Sequence, residues 1–591
     1  MTPTRTGTGP PASRARAAAA ALDQALDRAL GDPAESARRT ARLDEAEEFP
    51  AELCAALDTF GLPAHYVPTR HGGALDDHEE LLYLWRTVAR RDLSATVAHA
   101  KTYLGAVCVW IAGSPEQTRA TAAAVLDGTP VAWALTEPDH GADLLNNELT
   151  ATAHPDGYRL DGTKWPINNA TRAGLLTLLA RTGPAGSPRG HSLLVVDKAT
   201  LAPGTWRHLP KAHTHGIRGI DISGIGFDGA TLPRQALLGP EGTGVETVLR
   251  GLQLTRTMCA ALSLGAGEHG LRLAARFTAT RVIQKRPLAE RPHPASILAR
   301  CAALLAATEA AALLAARSIH SLTGELGVTA ATVKALAPTL VDSVLGELAE
   351  LLGARSFLTD VPEYGGFQKV ARDHQIVAVF DGSTPVNRAA LVQQFPALVR
   401  GHATGAADTA GLAEAAAAGR PPGPLEYDAL TLASRRGSSV VQSLPALAAA
   451  LRTRPTPSGL AEHAVALSGL TELLHTRMAA LRPAARPPMA AHELAAAYEL
   501  CFAGAACLHL WTAGEHDHAG EPLWADGLWA RAALRAVSER LAALLRTPAP
   551  APAPGDGDLD GTLARVITDA ATTGAPVTPF GAPAPRAGEA A

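Results

Sequence analysis

The feature that most constrains the fold is a change of hydrophobic period in the middle of the chain. Up to about residue 126 apolar residues recur three and four positions apart, as in Glu52–Leu57, which is typical of amphipathic helices. Between Val131 and Leu238 the pattern changes to short β-branched or apolar segments bounded by Gly, Pro, Asp and Asn. Helical periodicity returns at Gly244. This order predicts a small β domain between two helical regions.

The β region contains about seven candidate strands, and Asp156-Gly157 is a hairpin signal between two of them. The segments are Val131–Leu135, Glu148–His154, Tyr158–Leu160, Leu175–Arg181, Ser192–Asp197, Trp206–Leu209 and Ile220–Phe227. Many short strands at this spacing predict a small antiparallel barrel or sandwich.

Long alanine- and leucine-rich helices follow the β region. They are predicted at Val245–Leu264, Leu271–Thr280, Pro294–Leu322 and Thr329–Leu352, which favours a four-helix bundle. We therefore predict an α+β, mostly α, fold. Its parts are a partly disordered or helical arm (1–40), an N-terminal helical domain (41–130), a middle β domain (131–240), a helical bundle (241–400), a linker (401–424), a helical extension (425–546) and a disordered tail (547–591).

Composition excludes several classes of protein. A formal net charge of −4 and 19% charged residues provide no polybasic surface for nucleic acid or membrane. The six cysteines are scattered without a CxxC pair, which predicts buried free thiols in a reducing, cytoplasmic compartment. The longest apolar stretch, Cys301–Ala316, is interrupted by Glu309, so we expect a buried helix and no transmembrane segment. His516 and His518 lack a spaced third ligand, and we predict no metal site.

Two glycine-containing segments allow both a structural and a functional interpretation. Val131–Asp143 is a strand that stops at Pro138 and runs into a polar loop; this is either an ordinary strand exit or a cofactor loop. Gly265–Gly270 matches the GxGxxG pattern but follows a helical run and no strand. For that second segment, close packing of glycines between helices is favoured over a dinucleotide site.

Six motifs give the chain a resemblance to a known family. They are Trp133–Asp143 (WALTEPDHGAD), Gly162–Asn169 (GTKWPINN), Arg218–Asp221 (RGID), Leu238–Gly244 (LGPEGTG), Arg281–Leu288 (RVIQKRPL) and Arg372–Asp373 with Asp381–Ser383. In this order and spacing they resemble the acyl-CoA dehydrogenase superfamily of flavoproteins over roughly residues 43–400. The region after residue 400 resembles the extension of its larger members. The resemblance implies FAD as cofactor and a homodimer.

The resemblance also implies a catalytic base. Asp381 stands where the family usually has Glu, and it would remove the α-proton of an acyl thioester while the β-hydrogen leaves as hydride to the flavin. Some relatives carry the base just before an Arg on the bundle helix, but here Thr255 precedes Arg256. The substrate would contact Arg256, Phe380 and Gly382.

A further set of residues is implied to bind FAD through the strand, loop and helix motifs. These are Trp133, Leu135, Thr136, Gly141, Ala142, Trp165, Ile167, Asn168, Arg281, Ser383 and Thr384. The chain departs from the family pattern at Ala142 (usually Ser), Pro166 (usually aromatic) and Asn168 (usually Thr or Ser). These departures, with Asp381, favour a specialised substrate.

The sequence therefore predicts FAD-dependent α,β-dehydrogenation of an acyl thioester carried by CoA or by a carrier protein. An electron-transfer flavoprotein or oxygen would accept the electrons. Two alternatives remain open. One is a flavin oxidase of the same fold that acts on a carbon acid such as a nitroalkane. The other is a degenerate paralogue that acts as a partner subunit through its helical extension.

Overall fold

The N-terminal region is helical, as the periodicity predicted. The computed structural model describes residues 13–361, 363–482, 486–518 and 520–583, so the first twelve residues of the predicted partly disordered or helical arm lie outside the described residues. The helices are α1 (Arg14–Leu30), α2 (Pro33–Glu45), α3 (Ala51–Phe60), α4 (His78–Arg91), α5 (Leu93–Ala112) and α6 (Pro115–Leu126). Ser114 begins α6 with a reciprocal capping box to Gln117, which satisfies backbone donors that the helix itself leaves free.

The middle region forms an eight-stranded sheet. Its strands are β1 (Val131–Ala134), β2 (Thr150–His154), β3 (Gly157–Asn168), β4 (Leu175–Arg181), β5 (His191–Asp197), β6 (Trp206–Leu209), β7 (Ile222–Pro233) and β8 (Leu237–Leu238). The order is β6-β7-β3-β2-β4-β5-β8, with β1 paired to β4. The predicted hairpin at Asp156-Gly157 is confirmed by the antiparallel β2–β3 pair. The β1–β4 pair is parallel, so the sheet is mixed rather than wholly antiparallel.

The bundle consists of long helices packed on the N-terminal helices. They are α7 (Gly244–Met258), α8 (Ala260–Thr280), α9 (Pro292–Ser321), α10 (Leu326–Leu352), α11 (Gly366–His374) and α12 (Thr384–Thr404), with a short hairpin of β9 (Val282–Ile283) and β10 (Arg286–Pro287) after α8. The helix runs without interruption through Gly265–Gly270, where the sequence predicted a break. A Cβ on Gly265 would lie 2.5 Å from Ala89 Cβ, which supports the predicted glycine-mediated packing of helices.

Three helical segments are long and apolar enough to cross a membrane by length and composition. They are Pro292–Ser321, Thr323–Ser356 and Met489–Gly514. Between 83% and 94% of each apolar window is buried inside the protein. Their apolar character is therefore explained by packing against each other in the core.

The C-terminal region continues the helical packing. Its helices are α13 (Thr409–Ala416), α14 (Ser439–Gln442), α15 (Leu444–Arg452), α16 (Leu460–Ala480), α17 (Met489–Gly514), α18 (Leu528–Leu544) and α19 (Leu559–Thr573). Two predictions for this region were wrong. The predicted linker 401–424 contains the end of α12 and all of α13, and the predicted disordered tail contains α19. In α19 the apolar residues Leu559, Leu563 and Ile567 recur every fourth position and are buried.

After α19 the chain runs as a strap, residues 575–583, across a buried cluster of charged side chains. Tyr83 Oη donates to Phe580 O (2.6 Å), and the Phe580 N–H donates to Glu309 (3.0 Å). Arg86 donates to Thr578 Oγ1 (2.7 Å). The strap therefore supplies polar partners to groups in the N-terminal helices and the bundle, where unpaired polar atoms would be costly.

Candidate active site

The Thr136 loop is held by a buried ion pair that joins two of the sequence motifs. Lys164 on β3 donates to Glu137 Oε1 (2.8 Å) and to Leu135 O (3.0 Å). The N–H of Trp165 donates to Thr136 O (3.0 Å). Burial lowers the pKa of Lys164 to about 8, and the Glu137 carboxylate opposes that shift. These contacts fix the end of β1 against β3, which explains why the Thr-Glu-Pro and Gly-x-Lys motifs occur together.

The second half of β3 carries Asn168 to the edge of the site. The β3–β7 register shifts between Lys164 and Ile167, because Pro166 has no N–H to donate to the neighbouring strand. Beyond that irregularity Asn168 pairs with Ile222 on β7. The side-chain oxygen of Asn168 is buried without a hydrogen-bond partner among the described residues.

Asp381 lies in the turn that leads into α12. Its backbone has φ of 54°, a left-handed conformation that Asp tolerates better than most residues. Arg256 on α7 donates from Nε to Asp381 O (2.9 Å). The next residue, Gly382, has φ of 90°, and a Cβ there would lie 2.7 Å from the Arg256 guanidinium. The turn therefore requires glycine at this position, both for its conformation and for the space that Arg256 occupies.

The Asp381 carboxylate is buried and faces two side chains from other helices. Oδ1 accepts a hydrogen bond from Lys101 Nζ on α5 (3.3 Å), and Oδ2 lies 3.6 Å from Cys259 Sγ. Burial, reinforced by the Asp381 charge, raises the pKa of Cys259 to about 12. The thiol is therefore neutral at physiological pH, and Lys101 is the group that opposes the carboxylate's charge.

A third cation, Lys334 on α10, completes this cluster. Its Nζ donates to Val377 O (2.6 Å) and to Gly382 O (3.3 Å). The side chain is 1% exposed, and burial lowers its pKa to about 8. We call Lys101, Arg256, Lys334 and Asp381 the site cluster.

An apolar cluster connects the Asp381 turn with the β domain. Its members come from α3, α4, α5, α7–α8, the loop before β7, and the segment before Asp381. The buried members include Val97, Ala98, Ile217, Ile220, Leu262 and Val377, and Ile222 and Phe380 are partly buried. Since Ile222 pairs with Asn168, this surface joins the predicted flavin strand to the predicted base.

Several buried polar atoms around the site lack hydrogen-bond partners within the part of the chain that the structure describes. They are Asn168 Oδ1, Thr255 Oγ1, Thr384 Oγ1 and Asn387 Oδ1. Buried polar groups are rarely left unpaired in folded proteins. Hydroxyl and amide groups of this kind match the N–H and C=O groups along the polar edge of a flavin ring, so the residues present fit the predicted cofactor.

Other motif residues have structural contacts instead. Asp44 on α2 pairs with Arg218 (2.8 Å) and with Arg372. Asp373 accepts from Lys369 (2.6 Å) and from the Ile217 N–H (2.6 Å). These bonds join the N-terminal helices, the loop before β7 and α11. The Arg-Gly and Arg-Asp motifs therefore fix the arrangement of the three domains around the site.

Three of the predicted flavin contacts lie at the surface. Gly141 and Ala142 are exposed in the loop after β1, and Arg281 is exposed at the end of α8. Arg281 O accepts from the Leu288 N–H (2.8 Å), which closes the β9–β10 hairpin. Pairing of Arg281 with the FAD pyrophosphate remains a prediction.

The sequence reasoning missed Lys101, Cys259 and Lys334. Lys101 and Asp381 are 280 positions apart, so no local pattern connects them. The available signal was a single Lys and no Arg in each of two largely apolar helices, α5 and α10. A buried lysine on such a helix needs a partner in another element.

The domain arrangement matches that of a known enzyme family. The family models described as acyl-CoA dehydrogenase N-terminal, middle and C-terminal domains match residues 33–129, 132–230 and 242–395. A Mycobacterium tuberculosis protein named "Probable acyl-CoA dehydrogenase FadE25" is 27% identical over 362 residues, 61% of this chain and 91% of the relative.

Two solved structures have the same fold. A Bacillus anthracis acyl-CoA dehydrogenase complexed with FAD has a TM-score of 0.70 at 16% identity, and the match covers 97% of this chain and 96% of that one. A prolyl acyl carrier protein oxidase, AnaB, has a TM-score of 0.58 at 19% identity, with 64% of this chain and 97% of that one covered. The first of these matches extends the likeness to the helices after residue 400.

Proposed function

The chain belongs to the acyl-CoA dehydrogenase family, and from that premise we propose that it desaturates an acyl thioester with FAD as cofactor and Asp381 as base. Membership confirms the predicted family, the enzyme class acting on CH–CH groups and the FAD dependence. The identity of the base is supported by one observation above the others. Asp381 is a buried carboxylate in the turn where the family motif predicts a base, and its neighbours are cations.

The predicted flavin contacts come from two parts of the fold. Thr136, Trp165 and Asn168 would hold the ring from the β domain, and Ser383 with Thr384 from the start of α12. The unpaired atoms of Asn168 and Thr384 support this assignment. Bound FAD supplies the acceptor for the hydride that leaves the β-carbon.

Asp381 must change partners before it can act. In the free chain Oδ1 accepts from Lys101, and a base needs its oxygen within about 3 Å of the proton it removes. Arg256 holds the Asp381 carbonyl and not its carboxylate, so the backbone can stay fixed while the side chain turns toward substrate. The Asp381 N–H, by resemblance, would donate to the thioester carbonyl and stabilise the developing enolate charge.

We propose CoA or an acyl carrier protein as the carrier, since both present the same pantetheine arm. An electron-transfer flavoprotein or oxygen would reoxidise the flavin. A homodimer and a cytoplasmic location are parts of the same proposal.

Anaerobic reduction of the bound flavin tests the proposal. Saturated acyl thioesters should bleach the flavin band of the purified protein, and Asp381→Asn should slow that step by about 100- to 10,000-fold, the range for loss of a general base. Asp228→Asn is the matched control. It removes the same charge from an exposed position on β7 and should leave the rate unchanged.

Other outcomes would identify the alternatives. Reduction by nitroalkanes but not by thioesters would establish the carbon-acid oxidase. A protein that binds no FAD would contradict the proposal and favour a partner subunit. Fast reoxidation by oxygen after reduction by a thioester would assign oxygen as the electron acceptor.

A further inference from the structure

The site cluster contains more positive than negative charge. Lys101, Arg256 and Lys334 surround a single carboxylate, that of Asp381, and no other carboxylate in the described residues is within salt-bridge distance of these cations. Cys259 adds no charge, because its thiol is neutral. A buried cation that has no anion beside it lowers the stability of the fold. The cluster is therefore arranged for a further anion.

Lys101 is the cation most accessible to a ligand. Arg256 and Lys334 donate to backbone carbonyls of the Asp381 turn. Among the described residues Lys101 makes one hydrogen bond, to Asp381, and it lies 4.2 Å from the centre of the Phe380 ring. An ammonium group has three donors, and the Lys101 side chain is 14% exposed. It can therefore bind a second acceptor.

An unsubstituted acyl chain fits this position poorly. When Asp381 turns toward the α-carbon, Lys101 loses its carboxylate partner and faces the apolar wall of Val97, Ala98 and Phe380. A methylene chain there would leave the ammonium group without a partner in an apolar environment, whereas a carboxylate on the substrate would replace the one that leaves.

From this we infer that the acyl group of the substrate carries its own carboxylate, which Lys101 binds in exchange for Asp381. The inference rests on the proposed function, because it assumes that the thioester enters against Asp381. Since Lys101 and the base are in contact, the second carboxylate must be only a few bonds from the α-carbon. The substrate class is the half-thioester of a short dicarboxylic acid.

Matched thioesters test the inference with the flavin-loaded enzyme. Glutaryl-CoA, its monomethyl ester and valeryl-CoA differ at the far end of the chain. A hydrogen bond to a charged group contributes about 1.5–3 kcal/mol, so glutaryl-CoA should be preferred over both by about 10- to 100-fold in the second-order rate of anaerobic flavin reduction. Succinyl-CoA and butyryl-CoA repeat the comparison with one carbon fewer.

Variants of Lys101 assign the preference to this residue. Lys101→Met should abolish the preference by slowing reduction with glutaryl-CoA about 10- to 100-fold more than reduction with valeryl-CoA, and Lys101→Arg should retain the preference, because the charge remains. The flavin content of each variant shows whether the fold is intact. Calorimetric Kd values for the same thioesters give a second readout that does not depend on turnover.

The results separate the two proposals. If no thioester reduces the flavin, the proposed function fails, while a Lys101-dependent Kd for the dicarboxylic thioesters would still support the anion site. If neutral and carboxylated thioesters react equally well, the inference is overturned and the proposed function stands. Equal slowing of all substrates by Lys101→Met would also overturn it, since Lys101 would then act on the shared step.

Discussion

Two buried charge clusters in this molecule differ in their balance. The cluster under the strap combines three arginines with three carboxylates, namely Arg86, Arg90 and Arg272 with Asp23, Glu268 and Glu309. Despite burial, the arginines hold the pKa of Glu268 far below its usual range. The site cluster has three cations and one carboxylate, and burial lowers the pKa of its Lys334 to about 8.

The difference indicates which cluster is structural. Under the strap every charge has a partner inside the chain, so the cluster is complete without a ligand. In the site cluster the cations outnumber their carboxylate partners, and nearby polar atoms such as Thr255 Oγ1 and Thr384 Oγ1 also lack hydrogen-bond partners among the residues that the structure describes. When buried cations have too few anions inside the protein to balance them, the simplest explanation is that the site binds a negatively charged ligand.

The largest expected effect comes from unbalancing the strap cluster. Glu268→Gln leaves three arginines with two carboxylates, and breaking a buried pair in this way should lower the free energy of unfolding by about 3–5 kcal/mol. Urea denaturation followed by circular dichroism measures the loss. Glu246→Gln is the control, because Glu246 and Arg250 form a partly exposed i,i+4 pair. Similar stabilities for the two variants would contradict the comparison.

A pH titration should give an intermediate effect. With a native pKa of about 8 and an ordinary value of 10.5, Lys334 binds fewer protons in the folded than in the unfolded chain between those pH values. Its contribution to stability therefore rises with pH in this window, by up to about 3 kcal/mol at roughly 1.4 kcal/mol per pKa unit.

The readout is the difference in unfolding free energy between the wild-type protein and Lys334→Met at pH 7.5 to 10. The cysteines of the unfolded chain and Lys164 also titrate here, and the difference removes their contributions. Lys334 faces Lys101, Arg256, Cys259 and Asp381, and none of these changes in the variant. A difference that stays constant with pH would show that Lys334 is charged throughout the range.

The smallest effect is expected at Lys101. Lys101→Met removes one hydrogen bond to the Asp381 carboxylate while Arg256 and Lys334 remain beside it, so the free energy of unfolding should fall by about 1.5 kcal/mol, the lower end of the range for a hydrogen bond to a charged group. Thermal unfolding of the FAD-loaded protein provides the measurement. A loss as large as that of Glu268→Gln would mean that Lys101 is structural, and the distinction between the clusters would disappear.

Local sequence patterns predicted those helices and strands whose formation depends on residues close together in the chain. Strands β4 and β6 were predicted with the bounds that the structure has, since β-branched and apolar runs end at polar residues there. The Asp381 turn was identified from the resemblance of Arg372-Asp373 and Asp381–Ser383 to the family motif, and not from a local pattern. The four-residue spacing of Leu559, Leu563 and Ile567 is typical of a helix, but the proline-rich segment before it led to the wrong prediction of a disordered tail.

The charge balance of the site could not be predicted from local patterns. Lys101, Arg256 and Lys334 come from three helices, and only the packing of α5, α7 and α10 brings them to one carboxylate. The same holds for the strap, whose Thr578 and Phe580 contact side chains of α4 and α9. Contacts between distant segments depend on the assembled core.

The strap also determines when the core can be completed during synthesis. Arg86 and its partner Thr578 are separated by 492 positions. At about 5–20 residues per second, Arg86 is synthesised roughly 25 to 100 s before Thr578. Glu268 and Glu309, the other partners of Arg86, are synthesised earlier, so only the position of the Thr578 hydroxyl must be filled by water until the strap arrives. The strap is therefore the last of the Arg86 partners to reach this cluster.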